Sequence, residues 1–165
     1  MESMASAVNL TANPEIIASK PLFLVYLEKI GPFSKTAALA WKEFWSIAGG
    51  QFQQHRVAGM AGLSRIDSSK AGDDAFIYQA GMLLEAKPEE IPQGLQSRKL
   101  ASGKYARFLL TGSYAQLPAA YPAAFSILED AKLAIRDDFC MERYLNTPQD
   151  TPEDRLETEI LIPIA

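Results

Sequence analysis

The chain of 165 residues is poor in the residues that most often build metal sites and nucleophilic centres. It has one cysteine, Cys140, and one histidine, His55. A single cysteine excludes an intrachain disulfide, and one residue of each type is too few for a zinc site built from cysteine and histidine. A catalytic triad with histidine would have to use His55, at the start of a predicted strand, and we expect none. The sequence therefore predicts no metal site and no cofactor.

Long apolar and strongly basic segments are also missing. No apolar run approaches the ~20 residues that span a bilayer, and residues 1–15 lack the basic-then-apolar order of a secretory signal. The formal net charge is −4, without a cluster of lysine or arginine, so the electrostatic pattern of a nucleic-acid-binding protein is absent. We expect a cytoplasmic protein that contacts neither membrane nor nucleic acid directly, and whose acidic balance suits a cationic small ligand.

What is present is an ordinary globular composition, with 48% hydrophobic and 22% charged residues, which is sufficient for a core. Apolar periodicity and turn residues predict secondary structure in a fixed order. The predicted elements are a strand at 21–33, a helix that starts at an N-cap Ser34 and stops at Gly49, strands at 56–66 and 75–86, an interrupted strand at 95–114, a helix at 115–135, and strands at 138–146 and 155–165. The regular part of the second helix is expected to start near Pro122.

The order of elements repeats, and so do some residues. A shift of 80 places Trp41 on Tyr121, and residues 45–47 on 125–127, whereas a shift of 81 places Gly31 on Gly112. We interpret the chain as α+β, with two βαββ units at about 14–86 and 95–165 that form one antiparallel sheet with both helices on one face. Residues 1–13 are predicted to be a flexible tail.

Four segments carry a resemblance to a known family: YLEKIGPF (26–33), GKYARFLLTGSY (103–114), MERYLNTPQDTPED (141–154) and TEILIPI (158–164). They resemble the GyrI-like small-molecule-binding family over about residues 14–165. The family includes effector-binding domains of AraC-type and MerR-type multidrug regulators, stand-alone binding proteins and inhibitors of DNA gyrase. The resemblance implies a ligand cleft on the sheet face opposite the helices. About 13 residues precede the fold, too few for a helix-turn-helix, so we expect any DNA-binding partner to be a separate chain. A homodimer is a further expectation.

The resemblance implies three site residues. The buried pocket glutamate of the family falls on Glu142, its neighbouring tyrosine on Tyr144, and a second acidic position on Glu159. Strand alternation puts residues 140, 142 and 144 on one face and residues 139, 141 and 145 on the other, and we expect the second set to lie under the helices. The alternative for Glu142 is a solvated carboxylate paired with Arg143.

Three aromatic residues complete the predicted ligand-binding set. Tyr78 and Tyr114 lie on or beside strands, and Trp41 lies on the first helix, from which it reaches the cleft rim in this interpretation. Ring faces of this kind attract cations, although packing in the core is the alternative for Trp41. At the offset of 80, Gly62 is the counterpart of Glu142, so one half would supply space and the other charge.

These residues favour a stand-alone receptor of the multidrug-binding or transcription-effector type, which takes hydrophobic or cationic organic compounds. One alternative is a hydrolase of strained cyclopropane-bearing toxins, with Glu142 and Glu159 as an acid/base pair and Tyr114 as a helper. Another is an interaction protein of the gyrase-inhibitor type. We expect binding rather than catalysis, because the residues give no nucleophile that is activated by a histidine or a metal.

Overall fold

The computed structural model describes residues 8–49 and 57–165, so His55 lies outside the described residues. Within them the fold is α+β, with one antiparallel sheet of eight strands and two α-helices. The elements are β1 (Glu15–Ala18), β2 (Leu22–Ile30), α1 (Phe33–Ala48), β3 (Val57–Ile66), β4 (Phe76–Leu84), β5 (Gln96–Leu100), β6 (Lys104–Thr111), α2 (Leu117–Asp130), β7 (Cys140–Tyr144) and β8 (Glu157–Ile164). Short 3₁₀ turns cover Gly72–Ala75, Tyr114–Gln116 and Glu153–Arg155.

The strands follow the order β1-β6-β8-β7-β3-β4-β2-β5, and every neighbouring pair is antiparallel. The predicted interrupted strand divides into β5, which pairs with β2, and β6, which pairs with β8. The pairing of β3 with β7 forms the centre of the sheet. It joins strands from the two halves of the chain, and it positions the functional site described below.

Each helix packs against its own half of the sheet. In α1 the buried residues recur at every fourth position, which makes a single stripe that contacts β2 and β4: Thr36, Ala40, Phe44 and Ala48. In α2 the stripe consists of Ala120, Ala124 and Leu128, and it contacts β6 and β8. The centre of the sheet, between the two stripes, is therefore left without a helix directly over it.

The register shows which side of the sheet the helices contact. Ala80 lies opposite Gly62, Gly62 opposite Glu142, and Glu142 opposite Ile160. Directly opposed residues share a face. Because Ala80 packs in the α1 cluster and Ile160 in the α2 cluster, Glu142 points to the side on which α1 and α2 pack.

The face predicted for Glu142 is therefore wrong, although its alternation with Met141 is right. Met141, expected under the helices, packs with Leu63 and Leu161 in a cluster on the other face. Both faces of β7 are covered by apolar groups, so alternation separates the two sets of residues without indicating which set faces the helices.

Helix boundaries differ from the predicted ones at both helices. The N-cap of α1 is Pro32 rather than Ser34, and the Thr36 hydroxyl donates to the carbonyls of Gly31 (3.3 Å) and Pro32 (3.1 Å). The second helix begins before Pro122, at Leu117, because the preceding 3₁₀ turn already coils the chain. It ends at Asp130 instead of residue 135.

The segment before β1 is attached to the sheet where the structure describes it. The amide of Thr11 donates to the carbonyl of Leu109 at 3.1 Å, and the amide of Thr111 donates to that of Asn9 at 3.0 Å. Residues 9–11 therefore do not belong to a loose tail as predicted; residues 1–7 lie outside the described range. No helix in the described part of the chain is long and apolar enough to cross a membrane.

Candidate functional site

A cavity of about 1300 Å³ opens between α1 and α2, over the central strands β3 and β7. It exists because the helices pack over the two outer halves of the sheet. Its walls are largely apolar, and they include Phe33, Trp41, Trp45, Met60, Tyr78, Tyr114, Tyr121, Phe125, Glu142 and Tyr144. The cavity therefore lies on the helix side of the sheet, and the prediction of a cleft on the opposite face is wrong.

Glu142 lies in the wall of this cavity and is 8% exposed. The Tyr121 hydroxyl donates to its Oε2 at 2.7 Å, and the Tyr144 hydroxyl donates to its Oε1 at 2.8 Å. Burial raises the pKa of Glu142 by disfavouring the charged form, and the two donated hydrogen bonds only partly oppose this. The site thus holds a carboxyl group that is oriented by phenols and remains costly to ionise.

Further hydrogen-bonding groups lie next to Tyr144. The hydroxyl oxygens of Tyr78 and Tyr144 both lie beside Gly62, and Trp41 Nε1 donates to the Tyr78 hydroxyl at 2.8 Å. We call Trp41, Tyr78, Tyr144, Glu142 and Tyr121 the tyrosine network. Burial, followed by the nearby negative charge of Glu142, raises the pKa of all three tyrosines, so they remain protonated donors at neutral pH.

Gly62 makes room for this network. A Cβ at this position would lie 2.3 Å from the Tyr78 hydroxyl oxygen and 2.9 Å from that of Tyr144. Any larger residue would therefore displace the hydroxyls that lead to Glu142. The sequence interpretation that Gly62 supplies space opposite the charge agrees with this contact, since Gly62 is the cross-strand partner of Glu142.

Aromatic rings surround the network. Trp41 stacks on Trp45 with centroids 6.5 Å apart, and it meets Tyr144 edge-on at 5.7 Å. Tyr114 also meets Tyr144 edge-on, at 5.6 Å. The cavity thus offers extended ring surface beside the Glu142 carboxyl group, an arrangement that suits a flat or aromatic guest.

The other charged groups of the cavity wall are paired with each other. Arg65 contacts Asp137 at 3.2 Å, and Arg136 contacts Asp138 at 3.4 Å. Among the residues that the structure describes, Glu142 is in no ion pair. It is the lining carboxylate that a cationic guest could neutralise without displacing an existing cation.

Five of the six predicted ligand-binding residues line this one cavity: Trp41, Tyr78, Tyr114, Glu142 and Tyr144. Glu159 does not. It lies opposite Arg143 in the β7–β8 register, so it points to the other face of the sheet, where it pairs with Arg107 and Arg143. The two carboxylates, both expected to line the cleft, therefore lie on opposite faces of the sheet, because Glu142 is opposite Ile160 and Glu159 is opposite Arg143.

Tyr121 is the main residue that the predicted set omits. Aromatic residues at helical spacing usually pack in the core, so the sequence does not indicate that Tyr121 bonds to Glu142. Its match with Trp41 at the offset of 80 was the available signal. Cys140 also lines the cavity, but burial and the nearby Glu142 raise the pKa of its thiol to about 12, so it is not an activated nucleophile.

Within residues 8–49 and 57–165, no group of three or more histidine, cysteine, aspartate or glutamate side chains could hold a metal ion. Apart from the paired arginines and aspartates, the polar groups of the cavity wall include the Glu142 carboxyl group and several phenols. Such groups can bind and orient a molecule, and the carboxyl group can exchange a proton.

Comparison with protein families assigns the chain. The GyrI-like small molecule binding domain matches residues 12–165. The chain belongs to the GyrI-like family. No curated protein sequence is significantly similar to it.

Several solved structures share the fold of this chain. The EcmrR C-terminal domain superposes with a TM-score of 0.71 at 13% identity, over 93% of this chain and 97% of the other. SAV2435 bound to tetraphenylphosphonium gives 0.67 at 18% identity, over 93% and 94%. A hydrolase from Listeria innocua gives 0.57 at 12% identity, over 94% and 93%. At these identities the similarities establish the fold alone.

Proposed function

We propose that this GyrI-like protein is a receptor for amphipathic, cationic organic molecules, which it binds in the cavity between α1 and α2. The observation that carries the proposal is Glu142, a buried carboxyl group with two phenol donors and no ion-pair partner among the described residues. A buried charge without a counter-charge is costly. A cationic guest removes that cost when it binds.

The surroundings of Glu142 suit the hydrophobic part of such a guest. Contact between a cation and an aromatic face contributes about 0.5–2 kcal/mol, with the larger values in desolvated sites. The cavity volume of about 1300 Å³ exceeds the roughly 300–1,000 Å³ typical of ligand pockets, so bulky guests fit. Similarity supports this class of guest, since the SAV2435 structure holds the lipophilic cation tetraphenylphosphonium.

We further propose that the fold is an internal duplication of a βαββ unit with both helices on one face. The strand registers support it. Tyr26 lies opposite Gly81 and Arg107 opposite Leu161, so β2 corresponds to β6 at an offset of 81, and β4 corresponds to β8 at an offset of 80. Residues 62 and 142, which also differ by 80, lie opposite each other in the central pairing.

This duplication accounts for a single carboxyl group at the central pairing of β3 with β7. If a pseudo-twofold axis passes between Gly62 and Glu142, equivalent positions from the two halves meet there. One half supplies the glycine that admits the tyrosine hydroxyls, and the other supplies the carboxyl group. Two acidic residues at this position would repel each other, and two glycines would leave the cation without a partner.

The proposal is tested by titrating the protein with tetraphenylphosphonium and, separately, with triphenylphosphine oxide, an uncharged compound with similar aromatic groups. Calorimetry should show saturable binding of the cation at one class of site, and binding of the neutral compound at least about tenfold weaker. Equal affinities would mean that the cavity selects aromatic surface rather than charge. Absence of cation binding would remove the proposed function.

A hydrolase remains the second candidate, because the fold is shared with the hydrolase from Listeria innocua and because a raised pKa lets Glu142 carry a proton. The acid/base pair of that hypothesis is not assembled, since Glu159 lies on the other face. We therefore expect a stoichiometric complex with an electrophilic cyclopropane compound. Multiple turnovers to the ring-opened product, lost in Glu142→Gln, would establish the hydrolase instead.

Roles in transcription regulation, a homodimeric state, a separate DNA-binding partner and gyrase inhibition stay predictions. A pull-down with the unliganded and the tetraphenylphosphonium-loaded protein distinguishes a sensor from a simple binder. A sensor should retain a partner in one state and release it in the other. Retention that does not depend on the ligand would favour an interaction protein instead.

A further inference from the structure

Arg98 is a partly buried cation on the face of the sheet opposite the helices. It lies on β5 opposite Leu24 of β2, and Leu24 packs in the apolar cluster of that face, together with Leu63 and Met141. Burial lowers the pKa of Arg98, because apolar surroundings disfavour the charged form. Among the residues that the structure describes, Arg98 is in no ion pair. Its charge is therefore partly desolvated without being neutralised.

The guanidinium of Arg98 is held in a fixed orientation by uncharged groups. Its Nε and Nη2 donate to Oε1 of Gln79 at 3.0 and 2.7 Å. Gln79 is 3% exposed, and its Nε2 donates to Glu28 at 2.8 Å, which fixes the amide in turn. The rings of Phe139 and Tyr26 lie against the cation, with centroids 4.7 and 5.6 Å from the guanidinium carbon.

This arrangement leaves one edge of the guanidinium available. A guanidinium has five N–H groups, and the contact with Gln79 uses the one on Nε and one of the two on Nη2. Within the described part of the chain, no other hydrogen bond is made by Arg98. The remaining N–H groups on Nη1 and Nη2 form a fork, which matches the two oxygens of a carboxylate.

A second cavity, of about 200 Å³, adjoins Arg98 on this face of the sheet. Leu63 and Met141 give it an apolar wall, and the exposed Lys99 adds a second positive charge. The volume lies below the roughly 300–1,000 Å³ of pockets for drug-sized ligands. It therefore suits a molecule of a few non-hydrogen atoms.

Asp138 also lines the second cavity, but it is engaged elsewhere. Its Oδ1 accepts from the Phe139 amide at 2.8 Å, and its Oδ2 accepts from Arg136 Nη2 at 3.4 Å. Because Arg136 offsets the charge of Asp138, the positive charges of Arg98 and Lys99 prevail in the wall.

We infer that the second cavity binds small carboxylates, which Arg98 receives through the free edge of its guanidinium. The inference goes beyond the proposed function, because this cavity and the one at Glu142 lie on opposite faces of the sheet. The carboxylate supplies the anionic partner that Arg98 lacks, and Leu63 and Met141 contact the short apolar part of the ligand.

The test compares propionate with propionamide, which has nearly the same shape and no charge. Each is titrated into isotope-labelled protein at constant ionic strength, and the backbone amide signals are followed by NMR. Propionate should shift the signals of Lys99 and Met141 to saturation, and propionamide should bind at least about tenfold more weakly. This comparison needs no variant, so it does not depend on how a substitution affects folding.

Variants of Arg98 then assign the site. Arg98→Gln should weaken propionate at least about tenfold, and Arg98→Lys, which keeps the charge without the planar fork, should weaken it less. The control is Arg155→Gln, which removes an exposed arginine that lines neither cavity, and it should bind propionate as the wild-type protein does.

Several outcomes would overturn the carboxylate site. They are shifts without saturation, equal affinities for the two compounds, shifts confined to residues of the large cavity, and equal weakening by Arg98→Gln and Arg155→Gln, which would indicate a general charge effect. None of them concerns the binding of aromatic cations at Glu142, so the proposed function would stand or fail separately.

Discussion

Glu142 is held in place by two hydrogen bonds, which offset only part of the free-energy cost of burying its charge. Tyr121 and Tyr144 fix both carboxylate oxygens, and phenols that donate hydrogen bonds favour the charged form. Burial acts in the opposite direction and prevails, so the pKa of Glu142 stays raised. Ionising Glu142 is therefore costly in the folded protein, and this cost lowers the stability of the folded state when the group is charged.

The pH dependence of stability should reveal this cost. Because the folded-state pKa of Glu142 is raised by burial, the stability that its proton contributes is fully present below the unfolded-state pKa of about 4.3. It is lost as the pH rises through the folded-state pKa. Glu142→Gln has no such group, so the wild-type protein should lose stability relative to this variant as the pH rises above the unfolded-state pKa of about 4.3, as measured by urea unfolding.

The control for that experiment is Glu89→Gln, which neutralises an exposed carboxylate in the loop after β4. Its stability difference from the wild-type protein should stay nearly constant over the same range. A constant difference for Glu142→Gln as well would show that ionisation of Glu142 is not opposed by burial.

Gly62 supports the same site through the space that it leaves. In Gly62→Ala the new methyl group meets the Tyr78 hydroxyl oxygen at 2.3 Å, and overpacking of this kind typically costs about 1–3 kcal/mol. Tyr78→Phe removes that oxygen, so the alanine should cost less in the Tyr78→Phe background. A double-mutant cycle of unfolding free energies measures the coupling, and strict additivity would mean that the contact is relieved without strain.

The sequence predicted Glu142, its alternation with Met141 and the aromatic character of its surroundings. It did not predict the face, because β7 is apolar on both sides, with Met141 in one cluster and Cys140 packed against the other. Glu159 lies on the face opposite the helices, where the sequence predicts the cleft, but the cavity lies on the helix side. Alternation along β7 divides its residues into two sets on opposite faces. Only the pairing of β7 with β8 shows that the set with Glu142 shares a face with Ile160.

At the scale of the element, α1 has two distinct sides. Phe44 is fully buried against β2 and β4, whereas the adjacent Trp45 is 48% exposed and reaches the cavity. The core of each half thus depends on one narrow stripe per helix, and the aromatic residues beside the stripe are available for ligand contact.

Substitutions at these neighbouring positions should separate stability from binding. Phe44→Ala should lower the unfolding free energy by about 3–5 kcal/mol, because it leaves a cavity in the core. Trp45→Ala should cost under about 1 kcal/mol and weaken the binding of aromatic cations. Denaturant unfolding measures the first effect and dye titration the second. Similar destabilisation by both changes would contradict the division of α1 into a core side and a ligand side.

The helices and most strands can be predicted from the periodicity of apolar residues and from turn residues, but their ends cannot. Strand β1 escaped prediction because it is four residues long and lies at the edge of the sheet. The predicted start of the second helix near Pro122 is too late, because α2 begins at Leu117. The ring of Pro122 is accommodated inside the helix, where it lines the cavity.

At the scale of the whole molecule, the repeat in the sequence predicted one antiparallel sheet but not the position of the cleft. That position follows from the spacing of the helices. Their buried stripes contact the outer strand pairs β2–β4 and β6–β8, so the central pair β3–β7 is left open on the helix side. Such an arrangement is a packing result that no single segment encodes.

The central claim is that Glu142, on the helix side of the sheet, recognises the charge of the guest. The most direct measurement is calorimetric titration of tetraphenylphosphonium into the wild-type protein, Glu142→Gln and Glu159→Gln, which remove one carboxylate each from neighbouring strands on opposite faces. We predict that Glu142→Gln weakens binding by about 1–3 kcal/mol and that Glu159→Gln leaves it within about twofold, equivalent to roughly 0.4 kcal/mol. Equal losses in the two variants, or a loss in Glu159→Gln alone, would contradict the account.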